Sequence, residues 1–205
     1  MLLMALMPLT TVARTITDLL ASEPGRIFPL LTRTARLDMV DYYNSGQTVT
    51  LPNNLGGESG LVMLDVDYLK LKTSGSKVVE MRMWTDGRKD TVIAVIETVM
   101  TPVPDSRLTL WNAQWQPFYT DRLFKMPGID DFLLKKMPRD LRADLQDAMI
   151  FPLISLTFTG EKHDVIEASH GLQQFLAPAE YKRFADYLRP TLNYRFNGIK
   201  IKRVK

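Results

Sequence analysis

Hydrophobic positions along this chain change period from helical to alternating and back. Ile16, Leu19 and Leu20 fall at helical spacing and stop at the breaker cluster Ser22-Glu23-Pro24-Gly25. An apolar patch follows at Ile27-Phe28-Pro29-Leu30-Leu31. Thr34 is then placed to cap a short helix through Asn44, with Leu37, Val40 and Tyr43 at intervals of three and closure at Ser45-Gly46.

From Thr48 to Asn112 the period becomes two. Leu69 and Leu71 alternate with Lys70 and Lys72, and Val79, Met81 and Met83 alternate with Glu80 and Arg82, the pattern of half-buried strands with one wet face. Turns at Ser74-Gly75-Ser76, Asp86-Gly87 and Pro102-Val103-Pro104-Asp105 divide the stretch into runs near 67–73, 77–84, 91–100 and 106–112. Runs joined this closely predict a four-stranded antiparallel meander. Val92-Ile93-Ala94-Val95-Ile96 is apolar on both phases, which places it centrally with both faces covered. The polar, glycine-rich segment from Asn53 to Gly60 reads as a mobile loop.

Residues Trp115 to Met126 lack a period and carry Pro117, so they read as a connection between halves 14–120 and 121–205, either of which is a candidate subdomain. Helical pattern resumes at Ile129–Leu134, breaks at Pro138 and continues through Leu141, Leu145, Ala148 and Met149. Ile154, Leu156 and Phe158 give a strand. Pro178 opens the cleanest amphipathic helix, with Tyr181, Phe184, Ala185 and Leu188 on one side. Last, Asn197-Gly198 between Leu192–Phe196 and Ile199–Lys202 signals a two-residue hairpin. That register pairs Phe196 with Ile199, Tyr194 with Ile201 and Arg195 with Lys200. The fold class expected is α+β, an antiparallel sheet of meander plus C-terminal hairpin packed with several short helices.

At 205 residues, 45% hydrophobic and 24% charged, the chain is an ordinary globular one, long enough to bury a core without staples. It has no cysteine and two histidines, so thiolate metal sites, thiol nucleophiles and disulfides are excluded. Residues 1–13 form an apolar run ending Thr11-Val12-Ala13, the pattern of an export signal, although no cation precedes it. The alternative is an N-terminal core helix. The run is too short for a stable membrane anchor, and the mature domain would span 14–205.

The net charge of +3 is uneven. From Tyr181 onward eight Lys/Arg face one acid, while the first 180 residues hold 18 Lys/Arg and 22 Asp/Glu. A nucleic-acid partner is not expected from this, since the cations sit on one terminal segment instead of over a face.

The runs Ala35-Arg36-Leu37-Asp38-Met39-Val40-Asp41-Tyr42, Asp65-Val66-Asp67-Tyr68-Leu69, Val79-Glu80-Met81-Arg82 and Trp115-Gln116-Pro117, together with Tyr194-Arg195-Phe196-Asn197-Gly198, resemble the domain-of-unknown-function family 3256. These are exported proteins of Bacteroides-type bacteria. The resemblance covers roughly Thr15 to Val204, and implies a periplasmic or secreted location with no assigned activity, cofactor or catalytic residue.

Candidate chemistry is sparse. Asp38 and Asp41, three apart on a helix, offer a carboxylate pair for acid–base or metal chemistry, against the plainer reading of solvated surface acids. Asp65 and Asp67 lack the rest of a calcium loop. His163 and His170 are seven apart but flank Val165-Ile166, which disfavours a helical zinc pair. Trp111 and Trp115, with Phe118 and Tyr119, form either a stacking platform for a sugar or peptide or core packing. Arg195, Lys200 and Lys202 share one hairpin face and suit an anionic partner, such as another envelope protein, a lipid headgroup or a glycan. Their alternative role is protection of an edge strand. The expected function is therefore a non-enzymatic envelope binding domain without catalytic residues, metal or cofactor; the alternative is a carboxylate-dependent hydrolase acting on envelope polymers.

Overall fold

The computed structural model describes residues 14–88, 90–134, 136–148 and 153–204. The export-signal reading of residues 1–13 and the helical reading of Met149 lie outside the described residues. A six-stranded antiparallel sheet runs in chain order through β1 (Thr50–Pro52), β2 (Glu58–Leu64), β3 (Tyr68–Ser74), β4 (Lys77–Thr85), β5 (Thr91–Val99) and β6 (Asp105–Asn112). A second antiparallel sheet holds β7 (Ile154–Thr159), β8 (Val165–His170), β9 (Thr191–Phe196) and β10 (Ile201–Val204), in the order β10-β9-β8-β7. With short helices between them, the fold is α+β.

Strands β3 to β6 are the four alternating runs. The meander has two further strands, because the segment read as a mobile loop is a hairpin. Asn53 is buried in its turn: its Oδ1 accepts the N–H groups of Leu55 and Gly57, and its Nδ2 donates to the Thr73 carbonyl at 3.2 Å. One side chain thus organises a glycine-rich stretch that has no hydrophobic alternation to announce a strand.

Helix α1 (Ile16–Ser22) opens on a capping box. Thr15 accepts the Asp18 N–H and Asp18 accepts the Thr15 N–H, which holds the Asp18 carboxyl below its ordinary pKa. Helix α2 (Arg33–Asn44) is capped by Thr32, two residues before the expected Thr34, and buries Arg36, Met39 and Val40. Its inner face is rotated from the expected Leu37–Val40–Tyr43 line because Arg36 turns inward to pair with Glu23. Glu23 in turn accepts the N–H groups of Gly25, Arg26 and Ile27, fixing the breaker cluster that joins the helices.

These two helices cover one face of the meander, where Leu19, Leu20, Phe28 and Met39 meet Leu69, Leu71, Val79, Met81, Ile93 and Val95. The second sheet covers the other, where Trp84, Ala94, Ile96 and Leu110 meet Leu156, Phe158, Ile166, Leu192 and Tyr194. Strand β5 accordingly lies between β4 and β6 with Val92 to Ile96 buried throughout. The same covering overturns the wet face expected for β4: Glu80 and Arg82 are only 3% and 6% exposed.

The rest of the inter-sheet core comes from short elements. Helix α3 (Thr120–Leu123) and a 3₁₀ turn (Ile129–Phe132) follow the connection, then α4 (Arg139–Ala148), α5 (Leu172–Phe175) and α6 (Pro178–Ala185). Phe132, Leu145, Leu172 and Phe184 are their buried contributions, with Leu188 following α6.

Candidate functional site

The C-terminal hairpin folds in a different register from the two-residue expectation. Phe196 pairs with Ile201 and Arg195 with Lys202, leaving residues 197–200 as the connection. Asn197 sets this register locally, because its Oδ1 accepts the N–H of Ile199 at 3.1 Å and of Lys200 at 2.9 Å. Gly198, at φ +86°, presents its carbonyl to the Gly87 N–H of the β4–β5 turn at 2.8 Å. Phe196 stacks on Trp84 with ring centroids 4.8 Å apart. The hairpin tip is therefore tied to the other sheet, and Ile199, expected on the apolar face, is 72% exposed.

The new register redistributes the cations. Arg195 and Lys202 are direct cross-strand neighbours on the outer face of the second sheet, and Lys200 projects from the turn. Arg195 meets the Asp164 carboxylate at 3.5 Å; neither lysine has an acidic partner among the described residues. Lateral to them, β7 and β8 contribute Ser155, Thr157, Glu167 and Ser169 to the same face, which is mostly polar and carries Val165 opposite Arg195 and Val204 opposite Asn193. Where β9 begins and β10 ends, Arg189 and Arg203 line an open cleft of about 660 Å³ with Thr191, Leu192, Asn193 and Val204. A second open groove of about 520 Å³ beside the hairpin tip is floored by Val92, Phe118, Leu123 and Phe196 and edged by Arg88.

The other sequence candidates do not converge. Trp111 and Trp115 are 8% and 4% exposed within the helix-side core, 6.1 Å apart, with their indole N–H groups donating to Thr109 and Ser22. Enclosed on this scale, they offer no open stacking platform. Asp38 and Asp41 are exposed along α2. Asp67 is committed to an ion pair with Arg82, while Asp65 accepts the Val66 N–H. His163 lies at the β7–β8 turn, stacked 3.8 Å from the Tyr68 ring, and His170 at the opposite end of β8 against Phe132. No group of three or more metal-binding side chains comes together among the described residues.

Two residues escaped the sequence reading. Arg203 carried no signal because the second hairpin strand was read only as far as Lys202. Glu80, read as a wet-face residue, is a buried acceptor for Tyr68 and Thr157 hydroxyls and the Phe158 N–H. Burial and the adjacent Glu80 push the Tyr68 phenol above its ordinary pKa.

The family model of proteins of unknown function DUF3256 matches residues 9–201. The chain belongs to this family. Its fold is shared by a solved domain of an uncharacterized protein from Porphyromonas gingivalis W83, at a TM-score of 0.82 and 25% identity, covering 94% of this chain and 99% of that one. No curated protein matches the chain. As a DUF3256 member it inherits a fold and no named activity.

Proposed function

We propose that this DUF3256 protein is a periplasmic or secreted binding domain, without catalysis of its own, that captures an anionic component of the envelope through its basic hairpin. The carrying observation is the Arg195–Lys202 pair. Like charges directly opposite one another in a sheet cost some tenths of a kcal/mol, and here they stand beside Lys200, which has no acidic partner among the described residues, with all three side chains exposed. The acidic balance of the first 180 residues makes this concentration a local feature of the terminus. The apolar N-terminal run supports export, and no helix among the described residues is long and apolar enough to cross a membrane.

In its native host the full chain should fractionate with the periplasm or medium. Immobilised protein should capture an anionic component from an envelope extract, and a variant carrying Arg195→Gln, Lys200→Gln and Lys202→Gln should fold and lose it. Cytosolic retention overturns the location, and undiminished capture by the triple variant overturns the hairpin as the binding surface.

A further inference from the structure

This inference rests on the binding reading and names what the surface binds. The four-stranded sheet has two edges, and the fold treats them oppositely. Along β7 the outward N–H groups of Ile154, Leu156 and Phe158 are met by Asp105 Oδ1 at 3.3 Å, Ser106 Oγ at 2.8 Å and Glu80 Oε2 at 3.1 Å, so side chains of the larger sheet close that edge.

Among the described residues nothing equivalent closes β10. The Asn197 N–H donates to the Lys200 carbonyl at 3.1 Å, which marks residues 197 and 200 as a hydrogen-bonded pair. Antiparallel ladders alternate hydrogen-bonded and non-bonded pairs. Arg195–Lys202 and Asn193–Val204 are then the bonded pairs, and the N–H and C=O groups of Ile201 and Arg203 point away from β9. Among the described residues no backbone or side-chain group answers them. The open cleft flanked by Arg189 and Arg203 lies at the Arg203 end of this edge, where the Arg203 guanidinium donates to the Asp131 carbonyl at 3.2 Å, and Lys202 stands on the outer face.

We propose that β10 accepts an acidic, extended polypeptide segment as a fifth strand of this sheet. A peptide backbone supplies both acceptors for the two N–H groups and donors for the two carbonyls, where a phosphate headgroup only accepts. Main-chain bonds of this kind give affinity, and the side chains beside them select the partner. Carboxylates opposite Lys202 and Arg203 meet cations on both faces of the incoming strand. The same cations repel the edge of a second copy, which keeps an open edge from pairing with itself.

The test titrates the isotope-labelled full chain with a synthetic peptide that carries two adjacent Glu residues between Val and Thr residues, so that one carboxylate falls on each face of the strand. The Ile201 and Arg203 amide resonances should shift and their hydrogen exchange slow by at least about tenfold, and binding should weaken as salt is raised. A version of the peptide N-methylated at alternate residues, with unchanged charge, should not bind. Arg203→Pro removes an outward N–H without breaking a ladder bond, and should weaken binding beyond Arg203→Gln. Equal binding of the methylated peptide overturns the added strand while leaving the basic surface intact. Binding of phosphatidylglycerol vesicles in place of the peptide overturns it in favour of a lipid partner. Failure of both probes overturns the added strand, whereas undiminished envelope capture by the triple glutamine variant overturns the basic hairpin as the binding surface.

Discussion

The Glu80 carboxylate of β4 accepts the Phe158 N–H of β7 at 3.1 Å, joining the two sheets across 78 positions of sequence. It also accepts the hydroxyls of Tyr68 at 2.8 Å and Thr157 at 2.9 Å, and faces Lys70 at 3.2 Å. An edge strand laid against another sheet leaves a row of amides without water, and each unmet one is costly. Glu80, Ser106 and Asp105 remove that cost by reaching up from below.

Glu80→Gln keeps the size of the side chain but replaces one acceptor oxygen with a donor, facing groups that are themselves donors. The variant should fold and lose about 1–3 kcal/mol of stability, the range for stranding a buried hydrogen-bonding group. Urea unfolding followed by circular dichroism measures it. An unchanged midpoint would show that the inter-sheet contact survives without the carboxylate.

The Glu23–Arg36 pair is almost wholly enclosed, so removing either partner strands a buried charge. Arg36→Met should cost roughly 3–5 kcal/mol. Glu23→Gln should cost at least as much, because Glu23 also holds three backbone N–H groups of the α1–α2 connection. The double variant should recover part of the sum, since the uncompensated charge is gone while the loop anchor is still lost. Four unfolding curves decide it, and strict additivity would contradict the pairing.

His170 has its pKa lowered chiefly by burial, and neither of its ring nitrogens meets a hydrogen-bond partner among the described residues. The unfolded chain binds a proton near pH 6.5 and the folded chain only at lower pH, so between those values unfolding takes up a proton. This contribution to stability is present above pH 6.5 and is lost as pH falls toward the folded value. Stability measured from pH 7.5 to 5 should therefore decline more steeply in the native protein than in His170→Gln. Parallel slopes would place the His170 ring in contact with water.

Where hydrophobic periodicity and turn residues agreed, the sequence was legible. Strands β3 to β6, helix α6 and the central place of β5 all follow from apolar spacing bounded by Gly or Pro. Three features were not legible, each because the hydrogen bonds of a polar side chain, and not apolar spacing, set the backbone there. Asn53 builds the β1–β2 turn, Arg36 rotates α2 toward Glu23, and Asn197 shifts the C-terminal register by capturing two amides. Glu80 misled for a related reason. Alternation shows that a strand has two unlike faces, but a charged face reads as wet until the second sheet that covers it is placed. The three cations of the candidate surface were found from sequence, whereas their pairing and the open edge beside them depended on the register.

Gly171 leads from β8 into α5 with an ordinary negative φ of -84°, so its need for glycine is a matter of space. A Cβ added there would overlap Val103 Cγ1, with Leu153 Cβ next at 3.5 Å. Val103 is buried and held between Pro102 and Pro104, whose fixed φ angles limit how far that turn can yield. The turn follows β5 and Gly171 follows β8, so this contact sets how closely the two sheets approach at that end. Gly171→Ala should lose about 1–3 kcal/mol through overpacking. Val103→Ala alone should lose the transfer energy of its methyl groups plus a cavity term, about 0.8 kcal/mol or more per group. In the combined variant the methyl introduced by Gly171→Ala enters the space that Val103→Ala vacates. That protein should be more stable than the two single losses added together by about 0.5–3 kcal/mol. Urea unfolding of the four proteins reads this coupling directly. A coupling of zero would mean that the chain relaxes around the new methyl, and that Gly171 serves the turn backbone instead of the sheet contact.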